Sequence, residues 1–151
     1  TLIGSEIGAM GMGIPAGIAA ALRFPKRQVF SIVGDGGALM TGSELATAVA
    51  QNANIRVIIA NNQHYGTIRY HQEVHFPTRD HYATNLVNPD FAKYGESFGL
   101  RCFTIEKIEE IVPAIQEAME VSGPSLIEYK MSLELNTSTT TISQLQMNIN
   151  N

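Results

Sequence analysis

Asp35, set among glycines in Ser31-Ile-Val-Gly-Asp-Gly-Gly37, and the pair Asn61-Asn62, with 24 residues (37–60) between Gly36 and Asn61, are residue types whose spacing points to chemistry. An aspartate offers a carboxylate oxygen and an asparagine an amide oxygen. Such hard donors hold Mg2+ when a backbone carbonyl, phosphate oxygens and water complete the shell. Gly36 and Gly37 let backbone N-H groups approach a phosphate without side-chain obstruction. The pattern predicts a divalent cation carrying a phosphate.

Both halves must be delivered to one place. Each follows a short apolar run rich in β-branched residues, Gln28 to Val33 and Arg56 to Ala60, which reads as a buried strand. Between them, Thr41-Gly-Ser-Glu44 has capping-box spacing, predicting a helix from near Gly42 whose dipole favours an anion, and Leu45, Ala46, Val49 and Ala50 continue the helical period. A right-handed strand-helix-strand crossover makes the strands parallel and brings Asp35 and Asn62 out at one carboxyl edge, where open α/β sheets bind ligands.

Gly34-Asp35-Gly36, the spacer and Asn61-Asn62 together resemble the signature of the thiamine diphosphate enzymes that include 2-oxoacid decarboxylases and acetolactate synthases. The resemblance runs from about Gly4 to Tyr129 and covers the C-terminal, diphosphate-binding domain. It implies a three-layer α/β/α doubly wound fold with a mainly parallel sheet, with thiamine diphosphate and Mg2+ as cofactors. Asp35, Asn62 and the main-chain carbonyl of His64 would hold the metal. Gly36, Gly37, Tyr65, Gly66 and Thr67 would line the diphosphate, and Gly8 and Met10 of Gly8-Ala-Met-Gly11 would hold the aminopyrimidine and support the folded cofactor.

The same resemblance implies a pyrimidine-binding domain or subunit as partner, in a homo-oligomer. The glutamate that activates the cofactor belongs there, so no catalytic residue is assigned and the isolated chain is expected to be inactive. Met10, Asn88-Pro-Asp-Phe91 and Gly123-Pro-Ser-Leu-Ile-Glu128 look most like acetolactate synthase large subunits. Ser132-Leu-Glu-Leu-Asn-Thr departs from their Pro/Gly-rich ending, which keeps open a decarboxylase of aromatic or branched 2-oxo acids. A third reading is a binding or assembly module without turnover.

A rival reading takes Gly11-Met-Gly13-Ile-Pro-Ala16 as a dinucleotide fingerprint, with Asp35 about 20 residues on. It lacks an apolar strand before Gly11 and leaves Asn61-Asn62 without a task. His71 and His75 are i and i+4, which invites a transition-metal site, yet no further ligand is fixed by spacing. Arg69, His71 or Gln72 could instead overhang the cofactor and meet substrate. Phe76 to Asn85 reads as a loop and a potential flap.

The remaining elements read as scaffold. Ile14 to Leu22 is a packed helix with Pro15 in its first turn. Asn88-Pro-Asp-Phe91 opens another, with a cap, Pro at the first turn, and Phe91, Tyr94 and Phe98 on the buried side up to Gly99. Arg101 to Ile105 is a strand, Lys107 to Val121 a helix interrupted or restarted at Pro113, and Ser125 to Tyr129 a strand. We divide the chain into a domain over 1–131 and a C-terminal tail or docking arm over 132–151, where Thr137 to Thr141 and the Asn-rich end show no dependable period.

Composition bounds the rest. A chain of 151 residues can bury roughly 70% of its unfolded surface and so hold one real core. The net charge of -4, with no Lys/Arg run, argues against nucleic acid or an anionic membrane as partner. No apolar stretch reaches the ~20 residues of a membrane span. One cysteine, Cys102, forms no internal disulfide, and no secretory pattern is present, so the cytoplasm is expected. The start at Thr1 suggests a fragment or processed piece.

Overall fold

The structure is a computed structural model that describes residues 8–76, 80–134 and 140–147. The start of the Gly-rich segment at Gly4, Pro77 and Arg79 of the potential flap, most of Thr137 to Thr141, and the Asn-rich end lie outside the described residues.

The order of elements is α1 (Gly13–Arg23), β1 (Val29–Gly34), α2 (Asp35–Thr41), a 3-10 turn (Gly42–Glu44), α3 (Leu45–Ala50), β2 (Ile55–Asn61), α4 (Gly66–His75), α5 (Phe91–Ser97), β3 (Arg101–Ile105), a 3-10 turn (Ile108–Glu110), α6 (Ile111–Glu120), β4 (Ser125–Lys130) and α7 (Ile142–Met147). The strands form one sheet in the order β1-β2-β4-β3, and all three pairings are parallel. Crossover helices cover both faces, giving an α/β fold of three layers.

Strand periodicity divides the core. Ile55, Val57 and Ile59 of β2 and Leu126 of β4 pack with α1, α2, α3 and α5 on one face, whereas Ile58, Ile127 and Tyr129 join Ile111, Ala114, Ile115 and Ala118 of α6 on the other. The α1 helix lies close to β1 because Gly13 has no side chain. A Cβ there would overlap Cγ1 of Val33. Ser31 Oγ donates to the Gly13 carbonyl at 2.8 Å, fixing the height of the helix on the strand. On the face away from α1, Phe30 and Ile32 of β1 stay exposed, at 43% and 74%.

Three local expectations are corrected. The helix after β1 begins at Asp35 itself and not near Gly42, and Thr41 caps nothing: its Oγ1 donates to Gly11 O at 2.7 Å while Glu44 accepts from Thr47. The helix does not break at Pro113. The irregularity is the 3-10 turn before it, and Pro113 sits in the first turn of α6, where its missing N-H has no helical acceptor to lose. The cap of α5 is Asp90, whose Oδ1 accepts from Lys93 N at 3.0 Å, with Pro89 outside the helix. Asn88 is thereby released for other work.

Candidate functional site

In the β1-β2 register Gly34 lies beside Ala60, so Asp35 and Asn61 leave the sheet at the same carboxyl edge. Asp35 is 2% exposed. Its Oδ1 accepts from Gly36 N at 2.8 Å, and its Oδ2 accepts from Asn88 Nδ2 at 2.7 Å. The same Asn88 nitrogen donates to Asn61 Oδ1 at 2.8 Å, and Asn61 Nδ2 donates to Glu128 Oε1 at 2.7 Å. A carboxylate has about four lone-pair positions, so Asp35 keeps acceptor capacity for a cation after these two bonds.

The Asn61-to-Tyr65 loop is held by its own side chains. Asn61 Oδ1 accepts from Gln63 N at 3.2 Å, Asn62 Oδ1 from His64 N at 3.3 Å, and His64 Nδ1 lies 2.7 Å from Asn62 O. Gln63 pays for this turn with a left-handed φ of 58°, which costs a non-glycine residue on the order of 1 kcal/mol. A strap of chain packs against the loop from outside. Tyr65 N donates to Thr84 O, Leu86 N donates to Gln63 O, both at 2.8 Å, and His64 pairs with Asn85 in an antiparallel bridge. Gln72 of α4 fixes the strap's entry by bonding Tyr82 O and N at 3.0 and 2.9 Å.

Gly8, Met10, Asp35, Gly36, Gly37, His64, Tyr65, Gly66 and Thr67 all line one groove of about 1010 Å³, which continues down β1 past Phe30 and Ile32. Asn62 is not among its lining residues. Gly36 is sterically required, because a Cβ would stand 2.5 Å from Tyr65 Cε1. At Gly37 the nearest atom to a Cβ would be Gly11 N at 3.6 Å, so there the site tolerates more. Gly8, at φ 60°, has open space around it, and Met10 is 48% exposed.

His71 and His75 stack at 5.6 Å on one face of α4, but among the described residues no group of three His, Cys, Asp or Glu side chains could hold a metal. Arg69 is buried against Glu73, with Nε 2.8 Å from Oε1, and Gln146 of α7 reaches both Glu73 oxygens at 3.4 Å. Arg69 is thus committed to a structural pair instead of overhanging a ligand.

Sequence reasoning missed Asn88 and Glu128 and gave Asn61 no separate role. Asn88 was hidden because Asn-Pro-Asp reads as a helix start, and Glu128 because an acid in an apolar strand carries no spacing signal. The buried oxygens Asn88 Oδ1 and Glu128 Oε2 have no hydrogen-bond partner among the described residues, which is what an ion or ordered water nearby would satisfy. A buried carboxylate beside unpaired acceptors, facing a groove floored by Gly36, fits a cation with a phosphate.

Comparison with known proteins gives the class. The model of the thiamine pyrophosphate enzyme C-terminal TPP-binding domain matches residues 2–129. The chain therefore belongs to the thiamine pyrophosphate enzyme family, as its C-terminal TPP-binding domain, and the dinucleotide reading is set aside. It is 37% identical over 133 residues to YdaP of Bacillus subtilis, described as thiamine pyrophosphate-containing, covering 88% of this chain and 23% of that protein. It is 34% identical over 122 residues to the mitochondrial acetolactate synthase of Schizosaccharomyces pombe, covering 81% and 18%. Among solved structures, the thiamine diphosphate-dependent 4-hydroxybenzoylformate decarboxylase of Rhodococcus jostii RHA1 superposes with a TM-score of 0.78 at 29% identity, over 83% of this chain and 24% of that one. The chain thus spans about a fifth of the length of the curated relatives it matches. Among the described residues no helix is long and apolar enough to cross a membrane.

Proposed function

We propose that this chain is the Mg2+ and diphosphate end of an acetolactate synthase-like enzyme, which decarboxylates a 2-oxo acid and ligates the product to a second carbonyl. The observation that supports it is the buried Asp35 carboxylate at the tip of β1, joined through Asn88 to Asn61 at the tip of β2, over a groove that Gly36 keeps open. Asp35, the Asn62 side chain and the His64 carbonyl would hold the metal, while Gly36, Gly37 and Tyr65 to Thr67 would take the diphosphate. Gly8 and Met10 would seat the aminopyrimidine. The bound cofactor supplies an electron sink for the loss of carbon dioxide; the residues of this chain bind and orient it.

Activation of the cofactor falls to a pyrimidine-binding domain or subunit in a homo-oligomer, and the site is cytoplasmic. Fractionation and sedimentation of the whole protein check these last two points. The first test is Asp35→Ala. In the parent, Mg2+ with thiamine diphosphate should raise the melting temperature, and the variant should lose that rise while keeping its ligand-free melting temperature within a few degrees. Equal stabilisation of parent and variant would count against the metal assignment.

A second reading, decarboxylation without ligation, is favoured by the aromatic 2-oxo acid decarboxylase among the structural neighbours. Product analysis separates the two: a free aldehyde from benzoylformate supports the decarboxylase, a 2-hydroxy ketone or acetohydroxy acid the synthase.

A further inference from the structure

We propose that Asn88 is the positioning residue of the metal site, holding the Asp35 carboxylate in the orientation that Mg2+ requires. This rests on the metal reading above and adds to it a residue outside the ligand set named there.

The polarity of the hydrogen-bond chain is fixed from both ends. Asn61 presents Nδ2 to Glu128 Oε1, at 2.7 Å, and turns Oδ1 to the other side. Asn61 Oδ1 and Asp35 Oδ2 are then both acceptors, and Asn88 can serve them only with Nδ2, at 2.8 and 2.7 Å. Each amide has one allowed flip. The Asp35 carboxylate is gripped at both oxygens, by Gly36 N and by Asn88, which sets the plane of the group and not merely its place.

Asn88 also ties the two halves of the site together. Its strap is paired through the backbone to Gln63, His64 and Tyr65, while its side chain grips Asp35 on the neighbouring strand tip. The distance between the aspartate and the asparagine loop is therefore set by one residue outside both.

Mg2+ demands near-ideal octahedral geometry, whereas Ca2+ accepts six to eight oxygens in flexible arrangements. Loosening the carboxylate should consequently cost Mg2+ more than Ca2+. The experiment is calorimetric titration of Mg2+, and separately Ca2+, into the full protein with excess thiamine diphosphate, for the parent, Asn88→Ala, Asn88→Leu and Asp35→Ala. Asn88→Ala should weaken Mg2+ by about 10- to 100-fold, the usual effect of removing a group that orients a ligand, and Ca2+ by far less. Asn88→Leu fills the same space without a donor and should repeat that change in the Mg2+/Ca2+ ratio.

Equal weakening of both cations, or none, overturns the proposal. So does loss of the fold in both variants, since the amide would then carry the fold and not one carboxylate's orientation. If Asp35→Ala binds Mg2+ as the parent does, the metal reading itself has failed. If Asp35→Ala loses Mg2+ while both Asn88 variants keep parental affinity for both cations, only this inference has failed.

Discussion

Cys102 shows how a single residue's chemistry is decided by its surroundings. On β3 the thiol packs at the edge of the main core, near Gly95 and Leu126, and burial, with the Glu96 carboxylate adding to it, pushes its pKa up to about 12. The folded state thus favours the neutral thiol. Stability owed to this is fully present below the unfolded value near 8.5 and falls as pH rises from there towards 12, because the unfolded chain gives up its proton first. Ellman's reagent at pH 8 should react slowly with the folded chain and at once after denaturation. A fast reaction in the native state would contradict the burial. Cys102 is therefore expected to be a poor nucleophile at neutral pH.

Among the elements, β2 carries the heaviest duties. Its upper end supplies Asn61 to the site, while its lower end carries Arg56, 1% exposed and hydrogen-bonded to the carbonyls of Gly123, Val121, Met119 and Ile55 at 2.6, 2.8, 3.3 and 3.2 Å. The guanidinium gathers the carbonyls left over where α6 ends and turns into β4, a place where helices leave acceptors unsatisfied. Arg56→Ala should destabilise the fold by on the order of 3 kcal/mol, since bonds from a charged donor are worth about 1.5 to 3 kcal/mol and several acceptors are stranded. Chemical denaturation measures this. Arg56 pairs with Ser125, three positions before Glu128 on β4, so under the proposed metal reading the same variant should also weaken Mg2+ binding.

At the scale of the molecule, the groove runs from the strand tips along the outer edge of β1, where Phe30 and Ile32 stay exposed. The chain spans about a fifth of its relatives' length, and under the proposed function it holds one side of a cofactor site. Purified alone it should consume no 2-oxo acid. A separately produced pyrimidine-binding chain, with Mg2+ and thiamine diphosphate, should restore consumption of pyruvate or benzoylformate. Turnover by the lone chain would overturn the division of the site between two chains, and no turnover after reconstitution would favour the reading of an assembly module.

The parallel sheet and its main helices were legible in the sequence, because buried strands and amphipathic helices write their periods into residue order. The exit of Asp35 and Asn61 at one edge of the sheet was legible too, since a crossover of this length leaves their strands few ways to pair. Where the local ends fell was not: the helix at Asp35, the cap at Asp90 and the unbroken turn at Pro113 depend on which backbone groups find partners in space. Tertiary structure alone joined Asn88 to Asp35 across 53 positions and Glu128 to Asn61 across 67. Hydrogen bonds between distant side chains leave no period and no spacing, so only the folded chain could assign them.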